Sequence, residues 1–230
     1  ARTLAYQLYQ DAGHTKVWGS QYQSGTTFPM VQLNLLNLTP VTGSLTVSAQ
    51  IVTPQTSAVP GSYQDSYTAA TALVTLNPGL LFPPTTCGDT VAARLPFTVS
   101  ATVSKQCNIT SATNISFAPA RATGRNLTAS NTVGVACSNN TPYTIGLQPS
   151  NGNTAGSSVM AGTGSNTDKV PYQLSSTPGP SGTVWGNSSL NTIAGNGTGT
   201  TTTYPVYATV PSANYTPDNY ADTVTIAVTY

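Results

Sequence analysis

The sequence predicts an all-β chain of sandwich type, and three observations carry that prediction. The first is composition: only 6% of the 230 residues are charged, against about 25% in ordinary soluble chains, and all six acids are aspartates. Without glutamate and with few lysines there is little from which to build helices, whereas abundant Thr, Ser, Asn, Gly and Val favour strands joined by polar turns. The second is alternation, apolar residues recurring at every other position in several short runs. The third is the punctuation of those runs by Gly, Asn, Ser and Pro, which suits two packed sheets rather than helices or an α/β layer.

The chain is long enough for two ordinary domains, and an internal repeat divides it. Tyr6-Gln7-Leu8 recurs as Tyr172-Gln173-Leu174, Trp18-Gly19 as Trp185-Gly186, and Tyr63-Gln64-Asp65-Ser66 as Tyr220-Ala221-Asp222-Thr223. The shifts are 166, 167 and 157 positions, so the order is kept while the loops change length. Residues 1–78 therefore read as the second half of the unit that closes the chain. Its first half, present at about 95–150 in the second copy, has no counterpart before residue 1, and the natural protein is expected to be longer at its N-terminus. Ala1 opens strand-like sequence rather than a signal peptide, as expected of a processed chain. Residues 79–94, with Asn77-Pro78 before them and Gly79 and Pro83-Pro84 within, read as a proline-stiffened linker, and 95–230 as a complete domain.

Within the first copy, the segment from Thr26 to Pro40 is the most apolar of the chain and holds an insertion of about eight residues relative to the second copy. Val31, Leu33 and Leu35 alternate as in a half-buried strand, whereas Phe28-Pro29-Met30 sits in a turn-like setting. An exposed Phe28, Pro29 and Met30 would form an apolar patch suited to surface attachment. In the second part, Phe97, Val99, Ala101 and Val103 alternate, then Val133 with Val135, Tyr143 with Ile145 and Leu147, Val206 with Ala208 and Val210, and Val224, Ile226, Val228 and Tyr230. The stretches 148–168 and 187–203 are poor in apolar residues and read as exposed loops.

Cys107 and Cys137 each adjoin an alternating run, and a disulfide between neighbouring strands is expected in an oxidising compartment, two buried thiols being the alternative. Cys87 has no evident partner. The seven basic residues are scattered, so nucleic-acid binding lacks its electrostatic footprint, and no apolar run approaches the ~20 residues of a membrane span. His14, the single histidine, lies in a polar turn, and the dispersed aspartates show neither a calcium-loop spacing nor a carboxylate pair. No catalytic residue, cofactor or metal site is expected. Tyr63 and Tyr220, each two residues before an aspartate, read as tyrosine corners. Trp18 and Trp185, retained in both copies, read as packing residues rather than sugar platforms.

The run Phe97 to Val103, followed by Cys107, Val135-Ala136-Cys137, Pro142-Tyr143-Thr144-Ile145, Tyr172-Gln173-Leu174, Trp185-Gly186, Val206 to Pro211 and Tyr220 to Ile226, resembles the spore coat protein U domain. The resemblance covers 95–230, and its later half is matched again by 1–78. Members of this family are subunits of archaic chaperone-usher pili, and the two-domain arrangement is similar to Csu-type tip adhesins. The resemblance implies immunoglobulin-like sandwiches with an incomplete last strand, completed by donor-strand complementation. It implies a periplasmic chaperone and usher, neighbouring pilus subunits and a host or abiotic surface as partners, and a secreted cell-surface fimbrium acting in attachment and biofilm formation. Val224, Ile226, Val228 and Tyr230 would line the groove for a donated strand. Phe97, Val99, Ala101 and Val103 would either complete the first domain as a donated strand or belong to the second. Other readings are a spore or cell-surface coat protein and a secreted glycan-binding module.

Overall fold

In the computed structural model, residues 2–20, 24–32, 42–78, 84 and 86–230 are described. They form fourteen antiparallel strands in two compact units. Unit 1 comprises Ala1–Gln55 and Gly61–Val103, and unit 2 comprises Thr56–Pro60 and Ser104–Tyr230.

Unit 1 contains β1 (Tyr6–Tyr9), β2 (Ser48–Ile51), β3 (Gly61–Tyr67), β4 (Leu73–Leu76), β5 (Thr90–Arg94) and β6 (Phe97–Val103). They pair as three two-stranded sheets, β1 with β2, β3 with β6, and β4 with β5. Leu8 is the buried hydrophobic side chain of this unit among the described residues. Two boundaries differ from the sequence reading. Residues 90–94, assigned there to the linker, are hydrogen-bonded to β4, because Val91 and Ala93 extend a strand that β4 can pair. The strand Phe97–Val103, which the sequence left open between the first domain and a second beginning at 95, pairs along its whole length with β3, so the division falls after Val103.

Unit 2 contains β7 (Cys107–Ala112), β8 (Arg125–Cys137), β9 (Pro142–Pro149), β10 (Ser157–Ala161), β11 (Lys169–Ser175), β12 (Ile193–Asn196), β13 (Thr201–Ser212) and β14 (Val224–Thr229). One sheet has the order β10-β11-β13-β8-β7 and the other β12-β9-β14. Alternate residues of both sheets fill one core: Val133 and Val135 of β8, Tyr143, Ile145 and Leu147 of β9, Val170, Tyr172 and Leu174 of β11, and Val206, Ala208 and Val210 of β13. Trp185 is fully buried among them, and its indole N–H donates to the Ile145 carbonyl at 2.9 Å, so the tryptophan ties the two sheets together. The Tyr220 hydroxyl donates to the Thr216 carbonyl four residues upstream, a tyrosine corner of the kind found in immunoglobulin-like sandwiches. Cys107 and Cys137 stand opposite each other on β7 and β8 and are joined by a disulfide.

Both stretches expected to be loops contain strands. Within 148–168 lies β10, which hydrogen-bonds to β11, and within 187–203 lie β12 and the start of β13. Ser and Thr lower apparent hydropathy, yet β-branched threonine suits an extended backbone, and an edge strand needs only one apolar neighbour to dock.

Candidate functional site

Of the four edge strands of unit 2, β7 and β14 face each other. β14 pairs only with β9, and β7 only with β8, and the two strands approach each other across the gap between the sheets. Inward-facing Val224, Ile226 and Val228 of β14 pack on the core yet stay half-exposed, unlike Ile145 and Leu147 on neighbouring β9. Tyr230 follows the strand and is exposed. On the facing side Ile109 of β7 is exposed, and Ile115 and Phe117, in the extended chain after β7, half-cover the core. The arrangement is an apolar trough flanked by unpaired backbone N–H and C=O groups, which is what a further strand satisfies. Ile109, Ile115 and Phe117 escaped the sequence reading, although Ile115-Ser116-Phe117 carries the alternation that marks a strand position.

Of the strand Phe97–Val103, the structure pairs Phe97 with Tyr67, Val99 with Asp65, Ala101 with Tyr63 and Val103 with Gly61. The Tyr67 and Phe97 rings stack at 4.6 Å. Val99, Ala101 and Val103 are half-buried and Phe97 is exposed. These residues are thus distant in sequence order from β14's trough and belong to unit 1.

Phe28 and Pro29 are half-buried, whereas Met30 is 54% exposed and Val31 is exposed beside it outside any strand. Leu33 and Leu35 lie outside the described residues. The carboxylates serve local structure. Asp11 accepts the amides of Thr15 and Lys16 in a turn, and these backbone bonds hold its carboxyl below the usual aspartate range. Asp218 accepts from Thr163 and Asn166, which hold it down to about 2. Asp168 accepts the Thr216 amide. Asp222 accepts from Ser150 and from the Tyr172 hydroxyl. Among the described residues no group of three metal-ligating side chains comes together.

Both halves of the chain match one domain family, described as the Spore Coat Protein U domain, over residues 1–70 and 93–227. No curated protein matches the chain. Among solved structures the chain is similar to the CsuC-CsuE chaperone-tip adhesion subunit pre-assembly complex from archaic chaperone-usher Csu pili of Acinetobacter baumannii. That likeness has 20% identity and a TM-score of 0.47, over 80% of this chain and 64% of that one. A chaperone-tip adhesin complex described as vital for synergistic activation of CFA/I fimbriae biogenesis is similar at 14% identity and a TM-score of 0.36, over 58% of this chain and 45% of that one. This chain spans less than two thirds of either structure's chain. The two matched blocks contain the two copies of the Tyr-Gln-Leu and Trp-Gly motifs and together take in most of the sequence, so the chain belongs to the Spore Coat Protein U domain family.

Proposed function

We propose that this chain is a non-enzymatic subunit of an extracellular chaperone-usher pilus. Unit 2 is its assembly module. The observation that supports this most directly is the trough between β7 and β14, whose half-exposed Val224, Ile226 and Val228 lie beside unpaired strand edges. Such an edge on a secreted protein invites aggregation unless it is covered, and a strand donated first by a chaperone and then by a neighbouring subunit covers it. Family membership supports the same reading. Deleting Val228 to Tyr230 should abolish capture by the periplasmic chaperone while the Cys107–Cys137 disulfide still forms. Undiminished co-purification of chaperone with the deleted chain would overturn the reading.

Unit 1 is the surface-binding module of a tip adhesin. The presence of two units, where a shaft subunit needs one, supports this, as does the exposed side chain of Met30 next to Phe28 and Pro29. Replacing Phe28 and Met30 together by Ser should abolish attachment to hydrophobic surfaces with fibre assembly intact. Retained attachment per assembled fibre would remove the site from these residues.

A further inference from the structure

The sequence contains two Asn-Gly pairs, Asn151-Gly152 and Asn196-Gly197, and both fall in unit 2. In such a pair the glycine has no Cβ to hinder the approach of its own amide nitrogen to the side-chain carbonyl carbon of the asparagine. Whether the two atoms meet then depends on the freedom of the backbone around them.

The fold gives the pairs opposite surroundings. Asn196 ends β12 and stands opposite Pro142 on β9. Gly197 is buried, its amide donates to the Thr141 carbonyl at 2.8 Å, and a Cβ on it would lie 2.0 Å from the Ser138 carbonyl oxygen. Rotation at this pair would strip β12 from its sheet. Asn151 and Gly152 lie instead in the exposed turn between β9 and β10. Gly152 has φ +75°, and a Cβ there would meet nothing within 4 Å. Its amide is held by a turn bond to the Pro149 carbonyl at 3.0 Å. The Asn153 amide donates to Oδ1 of Asn151 at 2.9 Å, so a backbone N–H faces the oxygen on which negative charge develops when the carbonyl carbon is attacked. Nδ2, the group that leaves, has a longer bond of 3.3 Å to the Ser157 carbonyl.

We propose that Asn151 is a site of self-modification, converted by the amide nitrogen of Gly152 into aspartate and isoaspartate. The Gly152 nitrogen loses its proton to solvent and bonds to Cγ of Asn151. The bond from Cγ to Nδ2 then breaks, and Nδ2 takes up a proton and leaves as ammonia. Water adds to either carbonyl of the resulting succinimide and opens the ring, so the net change is uptake of water and loss of ammonia without oxidant or reductant. The new carboxylate stands next to Ser150, whose hydroxyl donates to Asp222 just before β14. Isoaspartate also routes the main chain through the former side chain and lengthens the turn by one carbon. Both changes loosen the tie at Asp222. With seven basic residues against seven acids, the formal net charge falls from +1 to zero. Nothing in this chemistry depends on the pilus reading.

The test incubates the intact chain at mildly alkaline pH, in buffer and in urea, then reduces it and digests it with trypsin. Cleavage after Arg125 and Lys169 places the two pairs on separate fragments, 126–169 and 170–230, and mass-spectrometric sequencing measures conversion at each asparagine. In buffer Asn151 should convert at least about tenfold faster than Asn196, because opening an exposed turn is easier than detaching a strand. In urea the two rates should converge. Equal rates in buffer, or faster conversion at Asn196, would overturn the proposal. So would aspartate without isoaspartate, since ring opening yields both. In the converted chain the Thr223 amide, which donates to Asp222 at 2.8 Å, should exchange its hydrogen at least about threefold faster. Unchanged exchange there would overturn the link to β14.

Discussion

Asp222 is tied to Tyr172 on β11 at 2.7 Å and to Ser150 just after β9, so one carboxylate joins the start of β14 to both sheets. Burial pushes its carboxyl up, but hydrogen bonds from Ser150, Tyr172 and the Thr223 amide outweigh burial and hold it below the usual aspartate range. Burial, and then the neighbouring carboxylate, push the Tyr172 hydroxyl above its ordinary value. Tyr172→Phe removes a donor to a charged acceptor and should cost about 2 kcal/mol of unit 2 stability in urea unfolding at neutral pH. A carboxyl lowered on folding contributes stability above about pH 4, and that contribution is lost as pH falls through the folded value. The gap between wild type and Tyr172→Phe should therefore narrow below that pH. A gap that is independent of pH would assign the loss to packing of the ring instead. Gly186 is enclosed by the chain at Thr154 to Gly156. A Cβ there would stand 2.1 Å from the Thr154 carbonyl oxygen, which explains why Trp is followed by Gly.

Among the elements, β6 shows what a linear reading can and cannot assign. Its alternation Phe97, Val99, Ala101, Val103 announces a strand, but alternation says nothing of which sheet receives it. The partner is β3, with Val99 directly across from Asp65. Val99→Asp would place two carboxylates opposite each other, and like charges facing across strands are destabilising by up to about 1 kcal/mol. Burial of a half-buried valine is lost as well. Limited proteolysis should then cut within β3 and β6 faster, with unit 2 unchanged. Faster cutting within β8 or β13 instead would show that β6 supports the second unit. The strands of the unit 2 core were legible because Val133, Tyr143, Ile145, Val206 and their neighbours alternate strictly against a buried face. β10 and β12 were not, since Val159-Met160-Ala161 and Ile193-Ala194 are short apolar clusters that do not alternate, and they dock through backbone pairing with β11 and β9. The trough was half legible: Val224, Ile226 and Val228 stand in an alternating strand, but Ile109 and Phe117 join them only through the fold.

At the scale of the whole molecule, the two units differ in what holds them. Unit 2 buries a continuous core of residues from four strands and adds a disulfide, which restrains its unfolded chain by roughly 3 to 4 kcal/mol for a loop of this size. Among the described residues, unit 1 buries Leu8 and leaves Val47, Ile51, Leu73, Val74, Leu76 and Val91 exposed on or beside two-stranded sheets, and such isolated pairs are marginal in water. Cooperative unfolding in one step requires that the parts share stabilising contacts, and parts with such unequal cores open at different denaturant concentrations. The tryptophans report on them separately, Trp18 half-buried in unit 1 and Trp185 fully buried in unit 2. Urea unfolding followed by tryptophan fluorescence should therefore show two transitions, the earlier one abolished by Trp18→Phe and the later one retained. Reduction of the disulfide should move only the later transition to lower urea. A single transition that keeps its midpoint in Trp18→Phe would show that the units fold as one body, and unit 1 would then draw its stability from contacts other than its own sheets.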